Sequence, residues 1–324
     1  MAYKFEFRPY RRKFRRSLIT NHGVWEIRDS IILRLTDAAG KVGWGEIAPI
    51  SWFGSETLEQ ALEFCHQIPA QITAEAIFAI PDNLPACQFG LESALERVGV
   101  EMTHPHNLTY SGLLPAGEAA LNQWKNLWLE GYRTFKWKIG VDAIAKELEI
   151  FDLLTRTLPN SAKLRLDANG GLSYEEAKLW LGRCDNLKSR IEFIEQPLPV
   201  GDFEGMLRLS ECFESAMPAA GVAIALDESV ATLQQLKSCF QQGWRGIFVI
   251  KPAIVGSPSR LRQFCQQHQL DLVFSSVFET AIGRQAALQL AAELSPPNRA
   301  VGFGTNHYFA PEESNWLQTL WNER

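Results

Sequence analysis

Two lysines stand two residues apart in an apolar run, Thr134-Phe135-Lys136-Trp137-Lys138-Ile139-Gly140. Alternate side chains of a β-strand share a face, so Lys136 and Lys138 point one way while Phe135, Trp137 and Ile139 point the other. Single ionisable residues then recur at the ends of later apolar runs. They are Asp167 in Leu166-Asp167-Ala168-Asn169, Glu195 in Ile194-Glu195-Gln196-Pro197, Asp227 in Leu226-Asp227-Glu228-Ser229, and Lys251 in Val249-Ile250-Lys251-Pro252. Taken singly, such residues are ordinary: a lysine pair suits a solvated strand face, and an acid after a strand suits a helix N-cap or a turn. Taken in order, they place three carboxylates between amines.

Three carboxylates brought to one point repel one another and are costly to desolvate. A hard divalent cation with oxygen ligands resolves the conflict; Mg2+ is the first candidate and Mn2+ the second. Lys138 and Lys251 would flank that point from opposite sides. A partly desolvated lysine near a cation gives up its proton more readily, which suits it to act as a base. A metal with flanking amines is the apparatus for removing a proton α to a carboxylate, because positive charge stabilises the enediolate that forms.

These residues need a scaffold that gathers strand ends. From about residue 108 the text alternates β-like runs (108–114, 134–139, 163–168, 191–195, 222–227, 246–250, 271–275 and 300–303) with helix-like segments (118–130, 143–157, 174–184, 203–212, 233–242, 259–267 and 281–293). Eight β-runs spaced roughly 24 to 32 residues apart, each followed by a crossover, fit a (β/α)8-type, TIM-like barrel of the α/β class. In such a barrel the reacting groups stand at the carboxyl ends of the strands. No Gly-rich phosphate loop follows any strand, which leaves nucleotide binding without support.

Residues 1 to about 50 read as an antiparallel meander, with strand text at 30–35 and 42–46 about a turn at 37–40. Helical text follows at 57–67 and 87–98. The loop between, 49–54 with Trp52 and Phe53, reads either as a partly apolar lid or as a buried connection. Gly43, Gly45 and Gly54 supply either freedom or tight turns. The expected division is an α+β capping domain, 1–105 completed by the tail 306–324, and a barrel, 106–305. Trp316 and Trp321 would bring the tail back onto the cap.

With 324 residues, 46 % hydrophobic and 21 % charged, the chain suits a soluble protein with a large core. A net charge of −5 offers no broad field for nucleic acid. The basic stretch from Arg8 to Arg16 reads as a solvated strand surface, with the alternative that one arginine faces an anionic substrate. No apolar run approaches the roughly 20 residues of a membrane span and the amino terminus lacks a signal-like core, so a cytoplasmic protein is expected. Six scattered cysteines (Cys65, Cys87, Cys184, Cys212, Cys239 and Cys265) suit reduced core positions rather than disulfides or a zinc site. His268 reads as an exposed helix residue.

The ordered set Lys-x-Lys, Asp-x-Asn, Glu-Gln-Pro, Asp-Glu-Ser and Lys-Pro resembles the enolase superfamily, muconate-lactonizing subgroup, over essentially the whole chain. Within it, the cap motifs 10–14, Asn21-His22-Gly23, 44–49 and Trp52-Phe53-Gly54, with Ser275-Ser276-Val277-Phe278-Glu279-Thr280 before Gly283, resemble the cyanobacterial and plastid-type o-succinylbenzoate synthases. The resemblance implies Asp167, Glu195 and Asp227 as metal ligands, Lys138 and Lys251 as catalytic lysines, and Lys136 as support for Lys138. Asn169 and Glu228 would steady the ligands, and backbone amides of Ser275, Ser276 and Gly302 would hold a substrate carboxylate.

The implied reaction is the metal-dependent dehydration of 2-succinyl-6-hydroxy-2,4-cyclohexadiene-1-carboxylate to o-succinylbenzoate, on the route to menaquinone or phylloquinone. Related racemases and epimerases of N-acylamino acids or dipeptides are the nearer alternative, and a non-catalytic carboxylate-binding barrel the remote one. A mandelate-racemase-like enzyme would carry a histidine where the seventh run ends Phe274-Ser275-Ser276. A dipeptide epimerase would carry Asp-x-Asp where the eighth ends Gly302-Phe303-Gly304-Thr305. Protein partners are unspecified.

Overall fold

Two sheets of opposite character carry the chain, one antiparallel and one parallel. The computed structural model describes residues 1–20, 23–100, 108–187, 189–215, 221–297, 299–312 and 315–322. Asn21 and His22 of the cap motif lie outside the described residues, as does the expected domain boundary between 105 and 106.

The first sheet comprises β1 (Ala2–Thr20), β2 (Gly23–Thr36), β3 (Val42–Ile47) and β4 (Gln71–Thr73), in the order β3-β2-β1-β4. The meander expected from sequence is therefore present, with β1 running through the arginine-rich stretch. That stretch alternates: Phe5 and Phe14 are buried while Arg11, Lys13, Arg15 and Arg16 are exposed. Three helices follow, α1 (Leu58–Gln67), α2 (Ala74–Phe78) and α3 (Pro85–Glu96).

Helix α3 is buried from Pro85 to Ala94 because β3 lies on it, and the approach is close. A Cβ at Gly45 would fall 2.1 Å from the Gly90 carbonyl oxygen, and one at Gly43 equally near that of Ala94. These two glycines permit strand-on-helix contact and have no part in a lid. Glu56 closes the helix start, accepting from the amides of Ala86 and Cys87 at 3.0 and 2.8 Å.

The second sheet is parallel and sequential: β5 (Ser111–Leu113), β6 (Thr134–Lys138), β7 (Lys163–Asp167), β8 (Ile191–Glu195), β9 (Ala223–Leu226), β10 (Ile247–Ile250) and β11 (Leu272–Phe274). The crossovers are α4 (Ala120–Leu129), α5 (Ile144–Thr157), α6 (Tyr174–Asp185), α7 (Phe203–Ser215), α8 (Leu233–Gln241), α9 (Pro252–Val255), α10 (Pro258–Gln267) and α11 (Ala281–Leu294). Among them α9 is the one without a counterpart in the sequence reading; four residues are too few to show a period.

The expected eighth strand is reduced to two bridges, Tyr110 with Val301 and Ser275 with Gly302. These suffice to join the first and last strands, through hydrogen bonds from Ser111 N to Val301 O (2.9 Å) and from Gly302 N to Phe274 O (2.7 Å).

Strand parity sorts the barrel into an outer and an inner shell. Phe135, Trp137, Leu164, Leu166, Ile194, Phe248 and Phe274 join the large core beneath the helices, while Phe193, Ala225, Ile247, Val249 and Val273 form a separate inner cluster. The inner cluster fills the barrel floor, and the same parity carries Lys138, Asp167, Glu195, Asp227 and Lys251 to the mouth above it.

The floor also holds an ion network. The β7–β8 register slips so that Glu192 is passed over between Ile191 and Phe193, and this bulge turns its carboxylate toward Arg165 (2.7 Å) and Arg299 (2.8 Å). Arg165 also donates to the carbonyl of Ala300 at 2.7 Å, tying down the closing segment.

Helix α12 (Trp316–Asn322) returns to the first sheet, with Trp316 against Tyr10 and Trp321 against Trp44. Among the described residues no helix is long and apolar enough to cross a membrane, and five cysteines are free thiols. His268 is half-buried between Phe240 and Phe264, away from the barrel mouth, where an exposed helix residue was expected.

Burial alone would raise the Glu192 carboxyl, but Arg165 and Arg299 outweigh it and hold it below the ordinary 4.5. Stabilisation from a depressed carboxylate is complete above its unfolded value and fades as pH falls through the folded one. Glu192→Gln is therefore expected to cost about 3–5 kcal/mol near neutral pH by stranding buried guanidinium charge. In thermal melts the gap from the native protein should narrow below the ordinary carboxylate value.

Candidate active site

Parallel pairing puts Lys138 beside Asp167 and Asp167 beside Glu195 in register. Asp227 follows β9, and Lys251 follows β10 as the residue before α9. The local backbone is unusual where it leaves the strands: Asn169 and Gln196 both take positive φ, 44° and 38°. Such conformations are strained for residues with side chains and persist where surrounding contacts enforce them.

Those contacts are present. Asn169 donates its amide to Asp167 Oδ1 at 3.1 Å and its side-chain Nδ2 to Glu228 Oε1 at 3.0 Å. Gln196, fully buried, donates to Leu198 O and Ser229 Oγ, and accepts from the amides of Asp227 and Ser229. It thereby fixes the turn that aims Asp227. Glu147 gathers the amides of Gly140, Val141 and Asp142 at 2.8 to 3.1 Å, holding the exit from Lys138.

The three lysines are in different states of engagement. Lys136 Nζ sits between Asp167 and Glu195, 2.7 Å from an oxygen of each. Lys251 is paired with Asp227 and lies 4.0 Å from the centre of the Phe53 ring. Lys138 makes no hydrogen bond or ion pair among the described residues and borders a cavity of about 460 Å3. Burial would lower the Lys136 pKa, but Asp167, Glu195 and Asp227 together raise it, so this amine is held as an ammonium. It is a fixed cation beside two acids.

The acids respond in the opposite sense. Burial and the neighbouring charge of Asp167 push Glu195 up to about 8 despite Lys136, with Asp227 adding to the shift. Burial also raises Asp227 against the pull of Lys251, and raises Glu228 with help from Asp167. Glu228 Oε2 is buried without a partner.

These observations test whether a divalent cation fits. Among the described residues no three acidic, imidazole or thiol groups stand close enough to hold an ion as they are; the amines of Lys136 and Lys251 occupy the space. Yet the donors are all buried carboxylate oxygens, two of them, on Glu195 and Asp227, ionised only at a cost, and the adjoining Glu228 has an orphaned oxygen. That set suits a hard cation such as Mg2+.

Lys136, Lys138, Asp167, Asn169, Asp227, Glu228 and Lys251 all border the cavity, whereas Glu195 is buried and reaches it through Lys136. Ser275, Ser276 and Gly302 border it too, but not as amide donors. Their N–H groups are spent on Ile250 O, Gly302 O and Phe274 O, the hydrogen bonds that close the barrel. The expectation that these amides hold a carboxylate is therefore corrected; among the described residues, Ser275, Ser276, Thr305 and Tyr308 bring hydroxyl-bearing side chains to the lining.

Sequence reading missed Thr305, Gln196 and Glu147. Gln196 was visible inside Glu-Gln-Pro, but nothing in the text assigns it two strand ends. The loop of Trp52 and Phe53 does reach the mouth, as a 3-10 turn at Ser51–Phe53, with Gly54 at φ 122° closing it.

A barrel with a polar, acid-and-amine mouth beneath an α+β cap defines a class. The family model described as "Enolase C-terminal domain-like" matches residues 119–320, and "MenC, N-terminal domain" matches residues 7–98. An o-succinylbenzoate synthase of Thermosynechococcus vestitus is 39 % identical over 94 % of this chain and 93 % of its own length.

A crystal structure of o-succinylbenzoate synthase from Thermosynechococcus elongatus BP-1, complexed with Mg in the active site, superposes with a TM-score of 0.89 at 38 % identity, covering 99 % of this chain and 100 % of that one. The L-Ala-D/L-Glu epimerase of Bacillus subtilis shares the fold at TM-score 0.76 and 22 % identity over 95 % of this chain and 91 % of its own. The chain belongs to the o-succinylbenzoate synthase family.

An acid whose folded pKa is raised disfavours folding as pH climbs from its unfolded value to its folded one. Melts of the native protein in chelator should therefore show stability falling between about pH 4.5 and 8. The fall should be shallower in Glu195→Gln; an identical slope would show that Glu195 is not the strained acid.

Proposed function

We propose that this chain is a hydro-lyase that converts 2-succinyl-6-hydroxy-2,4-cyclohexadiene-1-carboxylate to o-succinylbenzoate, in the cytoplasm, within menaquinone or phylloquinone synthesis. The observation that carries the reading is the unengaged amine of the three cavity lysines: among the described residues Lys138 has no partner while Lys136 and Lys251 are tied to carboxylates. The family supports dehydration, since relatives at 38 and 39 % identity carry that name.

Asp167, Glu195 and Asp227 would hold Mg2+, with Mn2+ also acceptable to an all-oxygen set. When bound there, the ion would supply positive charge to a substrate carboxylate. Asn169 and Glu228 would steady Asp167 and the adjoining turn.

Lys138 in its amine form takes the proton from the ring carbon that bears the carboxylate. The electron pair left behind spreads into the carboxylate as an enediolate, and Lys251 adds positive charge from the other side. The pair then returns to form the ring double bond as the neighbouring hydroxyl departs. Lys138, now an ammonium, protonates that hydroxyl so that it leaves as water. Aromatisation makes the second step downhill. Lys136 stays protonated throughout and holds Asp167 and Glu195 together without itself trading protons.

Purified protein with Mg2+ should bleach the absorbance of the cyclohexadiene. Lys138→Ala is expected to lower kcat by about 10³-fold or more at unchanged melting temperature, the scale of a lost general base with its acid role. Near-native rates in that variant would exclude Lys138 as the base. Absence of turnover in the native protein, with deuterium from solvent entering an N-succinylamino acid, would instead favour the racemase.

A further inference from the structure

The corner after β11 spends its backbone on the cap. Phe278 takes φ 64°, a left-handed conformation that is a genuine outlier for a bulky aromatic residue. Local groups hold part of the turn: Ser276 Oγ accepts from the Phe278 amide at 2.9 Å, and Glu279 Oε2 accepts from the Val277 amide at 2.7 Å. The carbonyls on the other side face two arginines from the first sheet. Arg12 Nη2 donates to both Phe278 O and Glu279 O at 2.9 Å, and Arg28 Nε donates to Val277 O at 2.9 Å.

Neither arginine is placed for solvent. Arg28 is fully buried, with its remaining donors on Asp29 O, Pro49 O and Ala48 O, so the same guanidinium also holds the start of the Trp52 loop. Arg12 lies over the Phe309 ring at 3.7 Å, pairs with Glu312 at 3.3 Å, and leaves its Nε buried without a partner. The strained backbone turns the Phe278 ring into the cavity wall, edge-on to Phe14, Trp25 and Tyr308 at 5.4 to 5.7 Å.

We propose that Arg12, assisted by Arg28, is a positioning residue that holds Phe278 in its strained conformation, so that the cap sets the shape of the apolar wall facing the substrate. The clamp itself rests on geometry alone. Its consequence for turnover rests on the dehydration reading. With the wall displaced, the substrate ring loses an apolar face, while Lys138 and the carboxylates keep theirs. Binding should suffer more than chemistry.

The test pairs a crystal structure with a double-mutant cycle. In crystals of Arg12→Met the φ of residue 278 should relax to a negative value and the ring should leave the cavity. A positive φ with the ring in place would overturn the clamp, whatever the reaction proves to be. In kinetics, Arg12→Met should raise KM about tenfold or more with kcat changed far less, as expected for lost positioning. Arg12→Lys, which keeps one nitrogen for the two carbonyls but loses the Nη1 bond to Glu312 and the planar guanidinium over Phe309, should recover only part of the loss.

In a Phe278→Ala background the same Arg12 change should have little further effect on KM. An equal effect in both backgrounds would mean that Arg12 acts elsewhere and would overturn the proposal. If the native protein fails to turn over the cyclohexadiene, the reaction assignment falls, and the crystal structure still decides the clamp.

Discussion

Asp167, Glu195 and Asp227 stand buried at neighbouring strand ends, where ionising one raises the cost of ionising the next. Positive charge must be brought to them, and the barrel brings it from within. Lys136 bridges the first two acids and Lys251 takes the third. The same carboxylates hold Lys136 protonated. Lys136 and Lys138 share one parity and differ in depth: Lys136, two residues earlier on β6, bridges two acids, and Lys138, level with Asp167, borders the cavity with no partner among the described residues. Two residues of identical chemistry are thus divided by depth alone.

The barrel mouth cannot be understood without the cap. Glu46 on β3 accepts from Thr280 and Gly283 at the start of α11, Arg28 on β2 holds the corner before it, and Arg12 on β1 holds the same corner from the tail side. One element of the barrel is therefore shaped by three strands of the first sheet. Phe53 and Trp25 add aromatic faces from that sheet and its loop, and Phe53 lies against Lys251 itself. Packing of this kind couples the apolar wall to the charged floor of the cavity.

Much of this was legible in the sequence. The period-two alternation of Lys136 and Lys138, and single acids ending apolar runs, report strand faces and strand ends directly, because side-chain direction in a strand is set by parity. The sequential parallel barrel followed from the same alternation and its spacing, the first domain's meander from its strand and turn text, and its place as a cap from the family resemblance. What stayed hidden depends on neighbours distant in sequence. The last strand shrank to two bridges because Val301 and Gly302 need only join two edges. Ser275, Ser276 and Gly302 were placed correctly at the cavity but given the wrong donors, since no text reveals that barrel closure consumes their amides. Gly43 and Gly45 look like hinge residues and are contact points for α3. Arg12 reads as surface charge within the basic stretch from Arg8 to Arg16, and only the fold shows the carbonyls that it and Arg28 meet.

The central claim is that the three strand-end acids form one oxygen site whose charge the lysines balance until a cation arrives. Calorimetric titration of Mg2+ into the native protein, Asp167→Asn, Glu195→Gln, Asp227→Asn and Lys138→Ala tests it most directly. The account predicts one site in the native protein, kept in Lys138→Ala and weakened at least about tenfold by each of the three acid changes. Undiminished Mg2+ affinity in those three variants would contradict it.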